Sequence, residues 1–180
     1  MFNTVSKVRT GYDKEEVDDF FEHARQAYEG RTAERLTSAD IQASTFDLVR
    51  GGYNTHEVDA ALDRLEAAFI QRQRAEYVAA HGQQAWMNAL AERARTLYGR
   101  LGRPDGDKFA PAAAGQQGYD KDDVDDLCDR LVAYFDRQEP LTAGEVRSAT
   151  FGRAKGADGY AEAPVDAFFS RAVEVLLGVE

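Results

Sequence analysis

Apolar residues recur along this chain at the three- and four-residue spacing of a helix face, in four separate stretches. The first is Val17, Phe20, Phe21, Ala24 and Tyr28, and the second Val58, Leu62, Leu65 and Phe69. The third runs Val124, Leu127, Cys128, Leu131 and Phe135; the fourth is Val165, Phe168, Phe169, Ala172, Val175 and Leu176. Each spacing predicts an amphipathic helix with one stripe buried and the rest in water. A further run, Trp86, Leu90, Ala94, Leu97 and Leu101, lies between the second and third. It stops at Gly102-Arg103-Pro104-Asp105-Gly106, a helix breaker. From Thr55 to Leu101 the pattern fits either one long helix hinged near Gly82 or two helices. The fold expected is all-α, made of tandem helical repeats.

What precedes the four helices is itself repeated, and a repeat has to be read before any single residue. Each begins with Gly-Tyr, followed five residues after the Tyr by Val and then Asp. The copies are Tyr12…Val17-Asp18, Tyr53…Val58-Asp59, Tyr119…Val124-Asp125 and Tyr160…Val165-Asp166. The first and third have a Phe ten residues before the Tyr, Phe2 and Phe109. The second and fourth follow LTSADIQASTFDLVRGGY and LTAGEVRSATFGRAKGADGY, which carry Phe46 and Phe151. The order is A, B, A′, B′: two pseudo-equivalent halves, residues 1–78 and 109–180, joined by a central helical and Gly/Pro segment, 79–108.

The local chemistry of the copies is that of helix starts. A Gly before the Tyr permits a positive φ or a tight turn. Asp13 with Glu16, Asn54 with Glu57 and Asp120 with Asp123 have capping-box spacing, and Pro164 is tolerated in a first turn. Thr37 and Thr142 read as N-caps of short turns, with Ile41 and Val146 facing inward. The repeated tyrosines are expected to pack on the start of each stripe.

Charge narrows the function. The net charge is -10, which argues against nucleic acid, where Lys and Arg on phosphates supply most of the affinity. Only the 79–108 segment holds more basic than acidic residues. The single cysteine, Cys128, falls in an apolar stripe and reads as a buried small hydrophobe; the cysteine usage suits a reducing cytoplasm. No apolar run is long enough to span a membrane, and the N-terminal residues do not read as a signal peptide. The acidic cluster Asp120, Asp122, Asp123, Asp125 and Asp126 has Asp125 where a calcium loop needs Gly and Leu131 where it needs Glu. His23, His56 and His81 are scattered without zinc spacing. No catalytic residue, metal or cofactor is expected.

The four Gly-Tyr…Val-Asp helix starts, two of them after Leu-Thr-x-x-x-Ile/Val…Thr-Phe, resemble the DivIVA domain. The chain is similar to the DivIVA-repeat proteins of actinobacteria over most of 1–78 and 109–180. The resemblance implies a cytoplasmic scaffold of cell division or polar growth that binds protein partners, including other DivIVA-type proteins, or forms homo-oligomers. It also implies docking at the inner membrane face, septum or pole through the loop just before the Gly-Tyr. That loop maps onto Arg50 and Gly51, with Arg153 and Lys155 in the fourth copy, and the aromatic tip of the family is absent. In the first copy, Lys7, Val8 and Arg9 take the same place. Three readings stay open: a scaffold, a peripheral membrane module, and an acidic binding protein for a basic partner.

Overall fold

The structure, a computed structural model, describes residues 2–179. It forms two compact units that divide between Glu76 and Tyr77. The first contains β1 (Thr10–Tyr12), α1 (Lys14–Glu29), α2 (Ser38–Gln42), β2 (Leu48–Arg50) and most of α3 (Thr55–His81). The second contains α4 (Gln83–Leu101), β3 (Gln117–Asp120), α5 (Lys121–Arg137) and α6 (Ala143–Arg147), then β4 (Arg153–Lys155), β5 (Gly159–Tyr160) and α7 (Glu162–Val179). A single 3-10 turn, Gly156–Asp158, links β4 to β5.

The all-α expectation is corrected by two small antiparallel sheets. In the first unit β1 pairs with β2, Thr10 opposite Arg50, Gly11 opposite Val49 and Tyr12 opposite Leu48. In the second the order is β4-β3-β5. The strands hide in the sequence because they are two to four residues long, shorter than any alternation can reveal. They form because the Gly-Tyr dipeptides of the two copies in a unit lie side by side. Tyr12 N–H donates to Tyr53 C=O at 3.0 Å, and Tyr53 N–H donates back to Tyr12 C=O at 2.8 Å. In the second unit Tyr119 faces Tyr160 in the same antiparallel way.

That pairing also replaces the reason given for the glycines. None of Gly11, Gly52, Gly118 and Gly159 has a positive φ. A Cβ on Gly11 would lie 2.2 Å from the carbonyl oxygen of Tyr53, and one on Gly118 2.1 Å from that of Tyr160. Side chains are excluded by the neighbouring backbone, not by the glycine's own dihedrals.

The helices start as their caps predict, with one difference. Asp13 accepts from the N–H groups of Glu15 and Glu16, and Asp120 from those of Asp122 and Asp123. The acidic residue three places on does not close a capping box. Glu16 accepts instead from Asp47 N–H at 2.7 Å, Asp123 from Gly152 N–H at 2.7 Å, and Glu57 from Asn3 N–H at 2.9 Å. Each reaches across to the other copy of its unit. Full capping boxes do form at α2 and α6, where Thr37 pairs with Asp40 and Thr142 with Glu145. Hydrogen bonds from Thr37 and Thr142 hold both carboxyl groups below their usual range. Ile41 and Val146 are buried beneath these turns.

The four repeat valines, Val17, Val58, Val124 and Val165, are fully buried at 0 % exposure. Each contributes roughly 1.5–3 kcal/mol of hydrophobic stabilisation. Along α3 the buried stripe is shifted from the expected one. Leu62, Leu65 and Phe69 are half-buried, whereas Glu66 and Ile70 are buried. Gln42 of α2 donates to the Glu66 carboxylate at 2.5 Å, which brings that side of the helix inward.

The Thr55–Leu101 stretch is two helices. Gly82, at φ 87, ends one and starts the other. The α4 stripe packs against α7. Trp86 is buried there, and its indole N–H donates to the Gly178 carbonyl at 3.0 Å. A Cβ on Gly178 would stand 2.6 Å from Leu90 Cδ2, so the glycine lets the two helices close. Helix α7 is covered on several sides, and every residue of its expected stripe is buried.

Candidate functional site

The repeat-defining residues meet in a reciprocal arrangement. In the first unit the B tyrosine, Tyr53, donates its hydroxyl to Asp18 of copy A at 3.1 Å. In return Asp59 of copy B faces the A tyrosine, Tyr12, and adds to burial in raising its pKa. The second unit repeats the exchange. Tyr160 donates to Asp125 at 3.0 Å, and Asp166 faces Tyr119. Burial first, and the facing carboxylate second, raise the pKa of all four phenols above the ordinary value.

The phenylalanines are exchanged as well. Phe2 lies 5.4 Å from Tyr53 in an edge contact, and Phe46 5.4 Å from Tyr12. Phe109 lies 5.3 Å from Tyr160, and Phe151 5.1 Å from Tyr119. Every copy therefore lends its Phe and its Asp to the tyrosine of the other. Reading the tyrosines as packed aromatic residues caught half of this; the Asp partner was missed. The constant distance from Tyr to Asp in all four copies was the available signal.

One of these pairs is built differently. Asp125 is buried, whereas Asp18, Asp59 and Asp166 are exposed. The turn after α4 covers it: Gly106 N–H donates to Asp125 Oδ2 at 2.6 Å, and Lys121 Nζ donates to the Gly106 carbonyl at 2.9 Å. Lys108, also buried, donates its backbone N–H to the Tyr160 hydroxyl at 3.0 Å. Its ammonium pairs with Asp105 and lies 3.7 Å from Asp129. Burial opposes its charge, but Asp105, Asp125 and Asp129 outweigh that and raise its pKa. Cys128 lies in the same core, where burial pushes its thiol up to about 12. Among the described residues no group of His, Cys, Asp and Glu is placed to hold a metal ion.

The expected loop residues fall in two places. Lys7, Val8 and Arg9 form an exposed turn before β1, with Val8 87 % exposed. Arg50 ends the adjoining strand, opposite Thr10, and Gly51 N–H donates to the Arg9 carbonyl at 3.0 Å. The fold thus gathers Lys7, Val8, Arg9 and Arg50 at one end of the first sheet. Arg153 and Lys155 lie on β4 of the second unit. Arg153 is committed, to Glu162 by an ion pair and to the Tyr119 ring at 4.8 Å.

The chain matches no protein-family model, no curated protein and no solved structure. Its function is therefore argued from the geometry alone. Among the described residues no helix is long and apolar enough to cross a membrane.

Proposed function

We propose that this chain is a non-catalytic scaffold or adaptor of the DivIVA-domain kind, acting through protein–protein association in bacterial cell division or polar growth. The observation that carries the reading is the reciprocal pairing within each unit. Two copies of one motif complete each other's tyrosine, carboxylate and phenylalanine contacts, the construction of a self-complementary dimer folded into a single chain. Acidic residues of the repeated motif cap helices, as Asp13 and Asp120 do, bond to the backbone of the other copy, as Glu16 and Asp123 do, or accept from a tyrosine, as Asp18 and Asp125 do. The cytoplasm is the compartment this reading requires. Chemical cross-linking of the full chain in a bacterial cell, read by mass spectrometry, tests it. Division or polar-growth proteins, or DivIVA-type proteins, are the expected products; recovery of unrelated basic proteins alone would overturn it.

The gathered turn favours a second reading, in which the same protein docks peripherally on the inner membrane face. Val8 is the exposed apolar tip and Lys7, Arg9 and Arg50 are the surrounding cations. One Val carries little apolar area, so such binding rests on charge and is salt-sensitive. Co-sedimentation with anionic vesicles at low and physiological salt checks this. Binding lost on Val8→Asp supports it; no binding at either salt overturns it.

A further inference from the structure

The parity of the β1–β2 ladder decides what the outer edge of β2 presents. Gly51 N–H bonds to Arg9 C=O and Asp13 N–H to Asp47 C=O, so the hydrogen-bonded partners of β1 are Gly51, Val49 and Asp47. Leu48 and Arg50 alternate with them, and their N–H and C=O groups point away from β1. On the β1 side the same parity sends the backbone of Tyr12 outward to Tyr53. No such partner covers β2, and among the described residues nothing bonds to the backbone of Leu48 or Arg50. The edge is open.

Side chains make this edge unlike its counterpart. Leu48 is 61 % exposed, a large apolar group on a free strand edge. At the matching position of the second unit stands Arg153, folded over Tyr119 and held by Glu162. Edge strands are commonly protected by cations of this sort, and β2 has given up that protection at Leu48. Arg50 lies on the edge strand itself, and Lys7 and Arg9 lie in the turn at the end of the ladder, on its β1 side; none of the three has an acidic partner among the described residues. In a chain of net charge -10, three neighbouring cations without counter-charge are an uncommon concentration.

We propose that the open edge of β2 receives an extended, acidic segment of a partner protein as an added strand, its carboxylates meeting Arg50 on the edge and, past the end of the strand, the turn that carries Lys7 and Arg9. Backbone bonds to Leu48 and Arg50 supply affinity, and the Leu48 side chain and the three cations supply selectivity. The inference rests on the association reading above and specifies the partner's conformation and charge.

The test titrates the isotopically labelled full chain with a capped peptide of alternating Glu and Val, followed by amide shifts. Saturable shifts centred on Leu48 and Arg50 are expected, with a Lys-Val peptide of equal length inert. Leu48→Pro removes the outward N–H and spares the bonds to β1, and it should weaken binding about tenfold. Arg50→Glu should weaken the Glu-Val peptide and admit the Lys-Val one, a reversal independent of how well the proline variant folds. No shifts at Leu48 and Arg50, or full affinity in a folded Leu48→Pro chain, would overturn the strand-addition model while leaving cross-linked partners, and so the scaffold reading, intact. If anionic vesicles but not the peptide compete for the site, the edge serves lipid and the proposal fails.

Discussion

The residue that says most about this molecule is Asp125, because its three counterparts face a tyrosine in a different medium. All four carboxylates face a tyrosine, but only Asp125 is dry, and it accepts from both Tyr160 and Gly106. A hydrogen bond to a buried charge contributes more than one in water, and breaking it leaves a partly unsatisfied anion. Tyr160→Phe should therefore destabilise the second unit by about 2–3 kcal/mol, since it also strands the Lys108 N–H. Tyr53→Phe, whose partner Asp18 is exposed, should cost less than about 1 kcal/mol. Denaturant unfolding of the two variants followed by circular dichroism checks the ranking. Equal losses would mean that the covering turn adds nothing to the Asp125 pair.

At the scale of elements, the helices were legible and the strands were not. Helix stripes extend over many residues, so a 3.6-residue period has room to show; the third and fourth stripes pack as expected, whereas the first buries Val17 and Ala24, half-buries Phe20 and Phe21 and leaves Tyr28 exposed. The α3 stripe failed because Glu66, polar in sequence, is drawn inward by Gln42 from a different element. The strands were read as turns because Gly-Tyr looks like punctuation, and only the second copy's backbone beside it makes it a strand. The residues of the turn end, Lys7 to Arg9 and Arg50, were named from the sequence; that they stand together was not, since register is set by the pairing. The glycines test this account directly. Gly118→Ala, with its Cβ 2.1 Å from the Tyr160 carbonyl, should cost about 3 kcal/mol or more. Gly99→Ala, exposed within α4 and with open space around its Cβ, should instead stabilise by about 0.5–1 kcal/mol. Thermal midpoints moving in opposite directions are the expected result; a tolerated Gly118→Ala would remove the close-approach explanation of the motif.

Across the whole chain, the order A, B, A′, B′ left open which copies pair, and each unit answers by pairing A with B. The second unit has in addition taken the central segment into its core, through Trp86 on Gly178 and the turn that covers Asp125. It thereby acquires several protons held more tightly folded than unfolded. Burial raises Cys128 from an ordinary value of 9.0 to about 12 and raises Tyr160 above 10.0; Asp105 and its neighbours raise Lys108 above 10.5. In each case the folded chain binds the proton more strongly, so the stabilisation is complete below the unfolded pKa and is lost as pH rises from there through the folded pKa. Stability of the second unit should be level with respect to these groups below pH 9 and fall steadily from there toward 12. Trp86, the single tryptophan and buried in this unit, reports the event. Its fluorescence midpoint in denaturant should drop with each step in pH above 9, and the Tyr160→Phe variant should show a shallower fall above pH 10. A midpoint unchanged up to pH 11 would mean that the thiol and phenol titrate without strain in the folded state, and that the core around Asp125 admits water.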